Sequence, residues 1–178
     1  MPLLTFGHGT AGRAEITALL TGIEATGVVD VRRYPGSRRN PDVSSDALAS
    51  WLPEAGIDYR WDARLGGRRR IDPDVDPATD RWWRVEQFRA YAAHMRTKEF
   101  SEGLDQVLAQ LTSERPVLVM CSESVWWRCH RRLISDAAVL LRDVPVRHLG
   151  HDGRLTEHIP SAGARVTPDG LVYDRDPS

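Results

Sequence analysis

The stretch VLVMCSESVWWRCHRRLISDAAVLL, from Val117 to Leu141, contains the change of hydrophobic period that decides the fold. Val117 to Met120 is a continuous apolar run, the strongest strand signal in the chain. Cys121 to Trp127 reads as the turn after it. From Cys129 to Leu141, the residues Leu133, Ile134, Ala137, Ala138 and Leu141 fall on one side of a helix. A buried strand that feeds an amphipathic helix is the repeating unit of a parallel sheet with covered faces.

The same unit recurs on either side. Leu3 to Phe6 is a short apolar run that ends in the glycine turn Gly7-His8-Gly9-Thr10, with Thr10 placed to cap a helix reaching about Leu20. Val28 to Val31 is a second buried strand, and its end releases the basic loop Arg32-Arg33-Tyr34-Pro35-Gly36-Ser37-Arg38-Arg39-Asn40-Pro41, whose prolines and glycine exclude regular structure. Ser44 or Ser45 starts a helix to about Ala55, and Ile57 to Trp61 makes a third strand. Asp62 to Asp80 is polar and rich in Gly, Arg, Asp and Pro; an irregular segment of that length is usually functional or mobile. Glu86 to Met95 and Ser101 to Leu111 read as amphipathic helices, and Val146 to Leu149 as a last strand. The expectation is one three-layer α/β domain with a mostly parallel, Rossmann-like sheet over residues 1–150. An extension over residues 151–178 follows, where Pro168-Asp169-Gly170 turns a short hairpin or belongs to a loose tail.

Composition narrows the class. A chain of 178 residues with 41% hydrophobic and 28% charged residues is an ordinary globular one, able to bury a core without disulfide or metal staples. Met1 to Gly12 carries neither a basic flank nor a long apolar run, so a cytoplasmic location without membrane contact is expected. The two cysteines, Cys121 and Cys129, then read as thiols. Net charge is −1, yet Lys98 is the one lysine against 23 arginines. Between Val31 and Arg70 nine arginines stand against five acids. A GC-rich genome would enrich arginine everywhere, but the local surplus is a matter of placement. Arginine suits bidentate phosphate contact and stacking.

Ligands of open α/β sheets bind beyond the carboxyl ends of the strands. That edge is expected to hold His8, Asp30 with Arg32, and Cys121 with Glu123. The junction from Cys121 to Arg132 adds Trp126, Trp127, Arg128, Cys129, His130 and Arg131 where free helix N–H groups attract anions and lower a thiol pKa. Cys121 taken singly reads better as a small buried strand residue, and His130 by the same logic as a helix-surface histidine. Glu123 is harder to explain away, because a carboxylate directly after a buried strand must be solvated, paired or functional. Cys121, Cys129 and His130 lack the short paired spacing of a structural zinc site, and neither metal nor cofactor is expected. Arg32, Arg33, Tyr34, Arg38, Arg39, Asn40, Gly66, Gly67, Arg68, Arg69 and Arg70, together with Trp126, Trp127, Arg128 and Arg131, form the candidate nucleic-acid surface, since arginine interleaved with aromatics binds phosphates while stacking bases.

Gly7-His8-Gly9-Thr10, Asp30-Val31-Arg32-Arg33-Tyr34-Pro35, Ser37-Arg38-Arg39-Asn40-Pro41, Leu65-Gly66-Gly67-Arg68-Arg69, Phe88-Arg89-Ala90-Tyr91, Cys121-Ser122-Glu123 and Cys129-His130-Arg131 together resemble the family catalogued as domain of unknown function 488. The resemblance runs in order over about residues 3–150. Its Cys-x-Glu and Cys-His pattern is similar to Rossmann-like families proposed to cleave base-to-sugar bonds. This implies a DNA glycosylase in which arginine loops hold phosphates, aromatic groups hold an extruded base, and Glu123 positions water and stabilises an oxocarbenium-like sugar. His8, His130, Cys121 and Asp30 would complete the catalytic set, Asp30 by orienting a histidine or arginine. Asp30-Val31-Arg32 and the strand-Cys-loop-helix also look like a rhodanese domain, which implies sulfur transfer through Cys121. Against that, Ser122 to Arg128 is no compact anion cradle, and Glu123 opposes a thiolate. A non-catalytic nucleic-acid-binding accessory keeps the arginine loops and discards the role of Glu123.

Overall fold

The structure, a computed structural model, describes residues 1–112 and 114–176. Its main sheet contains β1 (Leu3–Gly7), β2 (Gly27–Asp30), β3 (Asp58–Trp61), β4 (Val117–Cys121), β5 (Val146–Leu149) and β6 (Leu155–Glu157). They lie side by side in the order β3-β2-β4-β1-β5-β6. The first five are parallel and β6 returns antiparallel beside β5. The α-helices among the described residues are α1 (Arg13–Gly22), α2 (Ser45–Glu54), α3 (Glu86–Met95), α4 (Lys98–Leu108) and α5 (Arg131–Arg142).

Because β1, β2 and β4 are central, they are buried along their whole length, and alternate residues feed two separate cores. Leu118 and Met120 point to one face with Phe6, Ile16 and Leu20 of α1, and Leu48 and Leu52 of α2. Val117, Val119 and Cys121 point to the other, against Tyr91 of α3, Phe100 and Leu104 of α4, and Leu133 and Ile134 of α5. The chain therefore leaves β1 for one face and β4 for the other, although the two strands are neighbours. That divergence opens a crevice at their carboxyl ends.

Local chemistry shifts several helix starts from their sequence-based positions. Ser44 caps α2 as expected, its hydroxyl accepting from the Ala47 N–H. Thr10 caps nothing; α1 begins at Arg13, whose N–H is taken by the Asp42 carboxylate. Helix α4 starts at Lys98, before the expected Ser101, because Thr97 Oγ1 accepts the Phe100 N–H. Helix α5 starts at Arg131, after the expected Cys129, because Trp126–Arg128 forms a 3-10 turn and leaves Cys129 extended.

After Gly150 the chain remains part of the fold. Beyond β6 comes an antiparallel hairpin of β7 (Ala164–Thr167) and β8 (Gly170–Tyr173). Tyr173 is wholly buried, with its N–H on Asp80 and its hydroxyl on Asp136 of α5. No helix among the described residues is long and apolar enough to cross a membrane.

The three central strand ends are tied together past the sheet itself. His8 N–H donates to Cys121 O, Gly9 N–H to Ser122 O and Val31 N–H to Met120 O, each near 3 Å. The approach leaves no room for a side chain on Gly7, where an added Cβ would lie 1.8 Å from the Glu123 carbonyl oxygen. Gly7→Ala is expected to cost about 1–3 kcal/mol in urea unfolding, as overpacking does. Gly22→Ala, where a Cβ meets nothing within 4 Å, should be neutral or stabilising.

Candidate functional site

At the crevice lies a cleft of about 250 Å³. Its walls come from His8 after β1, Arg32, Arg33, Tyr34, Gly36 and Ser37 after β2, Gly67 and Arg68 from the long loop, Ser122 after β4, and His130 before α5. Among the described residues, neither a carboxylate nor a thiol lines it. Cationic and hydroxyl groups around one opening make it a site for an anion.

The cleft is held by a buried pair below it. Arg32 Nε and NH2 grip the two oxygens of Asp30 at 2.8 and 2.6 Å, and NH2 also donates to the Val43 carbonyl. Asp30 further accepts the Arg32 N–H and the Tyr59 hydroxyl. Its oxygens are occupied on every side, so Asp30 orients Arg32 and has no free lone pair aimed at a ligand. The remaining Arg32 nitrogen, NH1, lies 3.3 Å from His8 Nε2. His8 Nδ1 donates to Gly9 O, so Nε2 is the acceptor of a neutral ring. Burial, with the Arg32 charge, pulls the His8 pKa below its ordinary value against the Gly9 hydrogen bond.

His130 carries the opposite charge state. Burial opposes its protonation, but the charge and hydrogen bond of Cys129 and the Val31 carbonyl raise its pKa. Nε2 donates to Val31 O at 2.8 Å, and Nδ1 lies 3.6 Å from Cys129 Sγ. Both ring nitrogens face inward, to Val31 O and Cys129 Sγ, so His130 lends the cleft its raised pKa and any proton it gives up goes toward the sulfur. Behind it, Cys129 Sγ and Cys121 Sγ are 2.6 Å apart and both thiols are free. Burial alone would push the Cys129 thiol up; the hydrogen bond from Cys121 and the charges of His130 and Arg131 outweigh it and hold the pKa well below the usual value. Cys121 moves the other way, raised by burial and by Cys129. The thiolate thus belongs to Cys129, with Cys121 as its donor.

Glu123 was expected to converge with His8 and His130. The structure places His8 and His130 in one cleft and Glu123 in the adjoining depression, with Gly9, Thr10, Ser122, Ser124 and His151. The reason is local: the Glu123 carbonyl turns inward to accept from Arg131, which sends its side chain outward to the Val125 N–H. Ser122 lines both hollows. His151 escaped the sequence reading, although it follows β5 at the same edge; its Nε2 donates to Gly7 O.

The candidate nucleic-acid residues divide by what already occupies them. Arg38, Arg39, Arg68, Arg70 and Arg128 are exposed, as are Tyr34 and Trp127. Arg33 leans over the Tyr34 ring and donates to Arg68 O, while Asn40 donates to Ala11 O. Arg69 clasps its own loop through the carbonyls of Gly66, Ala63 and Arg64. Gly66 and Gly67 admit the close approach of Arg33 and His130. Trp126 lies away from the cleft, stacked on His148 at 4.2 Å.

Arg131 is 1% exposed. NH2 donates to the Glu123 and Ser124 carbonyls, NH1 reaches Thr5 Oγ1 at 3.4 Å, and Nε has no partner among the described residues. From Thr5 a chain of buried hydrogen bonds continues to His148 Nδ1, from His148 Nε2 to His158 Nδ1, and from His158 Nε2 to Asp136, at 2.6, 3.0 and 2.8 Å. With both rings neutral every donor meets an acceptor, and the chain runs one way from the Arg131 cation to the Asp136 anion. No sequence signal marks this chain, because its members come from β1, β5, α5 and the segment after β6.

The family model described as Domain of unknown function DUF488 matches residues 13–138, more than half of the chain. No curated protein and no solved structure matches it.

Burial, with His158 and Arg131 nearby, pushes the His148 pKa down to about 3. Folded His148 therefore stays neutral while its unfolded counterpart takes up a proton near pH 6.5. Its contribution to stability is complete above about pH 6.5 and is lost as pH falls toward 3, at up to about 1.4 kcal/mol per pH unit. Urea midpoints measured from about pH 6 to 4 should fall steeply. The slope should be shallower in His148→Gln.

Proposed function

The chain belongs to the DUF488 family, a description that names no reaction, and we propose from the chemistry of its site that it is a nucleic-acid-binding N-glycosidase releasing a modified or damaged base. One observation carries the reading: a cationic cleft without a carboxylate shares Ser122 with a depression that holds Glu123. A nucleotide phosphate in the cleft, held by Arg33, Arg68 and the charge of His130, sets its sugar over Ser122. Glu123 then faces the anomeric carbon, where it deprotonates a water and stabilises the developing oxocarbenium ion. His151 lines the same depression and is the candidate for handing a proton to the departing base. Arg38, Arg39, Arg70, Tyr34 and Trp127 extend the surface along the strand.

Sulfur transfer draws support from the Cys129 thiolate beside His130. Both sulfurs lie outside the cleft and are at most 6% exposed, which closes them to a bulky sulfur donor. A non-catalytic accessory would keep the cleft and leave Glu123 without a role.

Two experiments separate these readings. With pooled damaged-base oligonucleotides, Glu123→Gln should lower abasic-site formation by about 10²-fold or more while binding is retained. Base release that persists in the variant rejects the assignment. Replacing Arg38, Arg39, Arg68 and Arg70 by Ala should weaken oligonucleotide binding and flatten its dependence on salt, with the fold intact. Arg69 is left out because its guanidinium holds the loop together. Unchanged affinity in the quadruple variant removes the loops from the mechanism.

A further inference from the structure

The reaction proposed above makes no use of the two sulfurs behind the cleft, although their surroundings are unlike those of inert core cysteines. Cys129 Sγ accepts the Arg131 N–H at the start of α5, faces Cys121 Sγ at 2.6 Å and has His130 Nδ1 at 3.6 Å. The guanidinium of Arg131 lies in the same buried space and has no ion-pair partner carboxylate among the described residues. A helix N-terminus, an imidazolium and a guanidinium around one sulfur stabilise the thiolate, the reactive form of cysteine. The sulfur opposite it is a protonated thiol at close range, about half an ångström beyond bonding distance.

We propose that Cys129 and Cys121 form a peroxide-reactive dithiol in which Cys129 attacks the oxidant and Cys121 resolves the product. Hydrogen peroxide is small enough to reach a sulfur closed to larger donors. The Cys129 thiolate attacks one peroxide oxygen, forming an S–O bond as the O–O bond breaks. The leaving hydroxide takes the His130 Nδ1 proton and departs as water, so that Cys129 becomes a sulfenic acid and His130 a neutral ring. The Cys121 sulfur then displaces the sulfenic hydroxide, which takes the Cys121 proton and leaves as a second water. The sulfurs lose two electrons, the peroxide gains two, and an internal disulfide remains. Arg131 thereby loses its thiolate neighbour, and the cleft loses the positive charge of His130. The inference does not depend on base release.

The test uses the reduced full chain and hydrogen peroxide near pH 6, where an ordinary thiol is ionised to well under about one part in a hundred. The native chain should be oxidised at least about tenfold faster than the same chain in denaturant, because only the folded site supplies a thiolate. Trypsin cuts after Arg128, so the disulfide should appear as two peptides joined through Cys121 and Cys129 and separated by dithiothreitol. In Cys121→Ser, sulfenic acid should accumulate on Cys129 and be captured by dimedone when the oxidised chain is unfolded in its presence. In Cys129→Ser, Cys121 should stay unmodified over the same time. A native rate no faster than the denatured one overturns the proposal. So does sulfenic acid on Cys121 in Cys129→Ser with none on Cys129 in Cys121→Ser.

Discussion

A guanidinium sealed in a core, with no carboxylate paired to it among the described residues, sets the terms for the rest of this molecule. An isolated buried charge costs several kcal/mol unless partners surround it, and Arg131 finds them in two directions. Toward the sheet edge it holds the carbonyls of Glu123 and Ser124 and lies beside the Cys129 thiolate. Toward the core it starts the hydrogen-bond chain through Thr5, His148 and His158 to Asp136. The first set shapes the turn after β4 and turns the Glu123 side chain outward. The second ties β1, β5, α5 and the C-terminal segment into one unit.

The electrostatics of the cleft follow from that arrangement. Against burial, the Cys129 sulfur raises the His130 pKa, while the hydrogen bond from Cys121 and the charges of His130 and Arg131 hold the Cys129 pKa down. Burial and the Arg32 charge hold the His8 pKa below its ordinary value, against the Gly9 hydrogen bond and the Asp30 charge. Two histidines in one wall are thus shifted in opposite directions, with no acid lining the cleft between them among the described residues. Charge reaches the surface of the cleft through groups whose counter-charges are buried.

Much of this was legible in the sequence, and the exceptions have physical causes. Strand cores such as Val117 to Met120 announce themselves because continuous apolar runs have one stable home in a parallel sheet. The edge that collects His8, Asp30 with Arg32, and Cys121 with Glu123 followed from strand direction alone, but not the split that sends Glu123 to a neighbouring depression. Helix starts were less legible where a distant side chain supplied the cap, as Asp42 does for α1. The division of the arginines could not be read either. Arg68 and Arg69 are neighbours of one type, yet one is exposed and the other clasps three carbonyls, a difference set by the path of the loop. The relay behind Arg131 was invisible because its histidines are ten residues apart and joined only by tertiary contact.

The carboxylate of Asp136 gives the segment after Gly150 a meaning that similarity alone does not. Its partners are His158, the Ser161 N–H and the Tyr173 hydroxyl, and all three lie beyond residue 150. A fragment cut at the end of the family match would divide α5, and one cut after β5 would strand an anion in an apolar interior. A fragment that keeps every partner of Asp136 therefore reaches Tyr173. In lineages where that hairpin is lost, position 136 is expected to lose its acid as well.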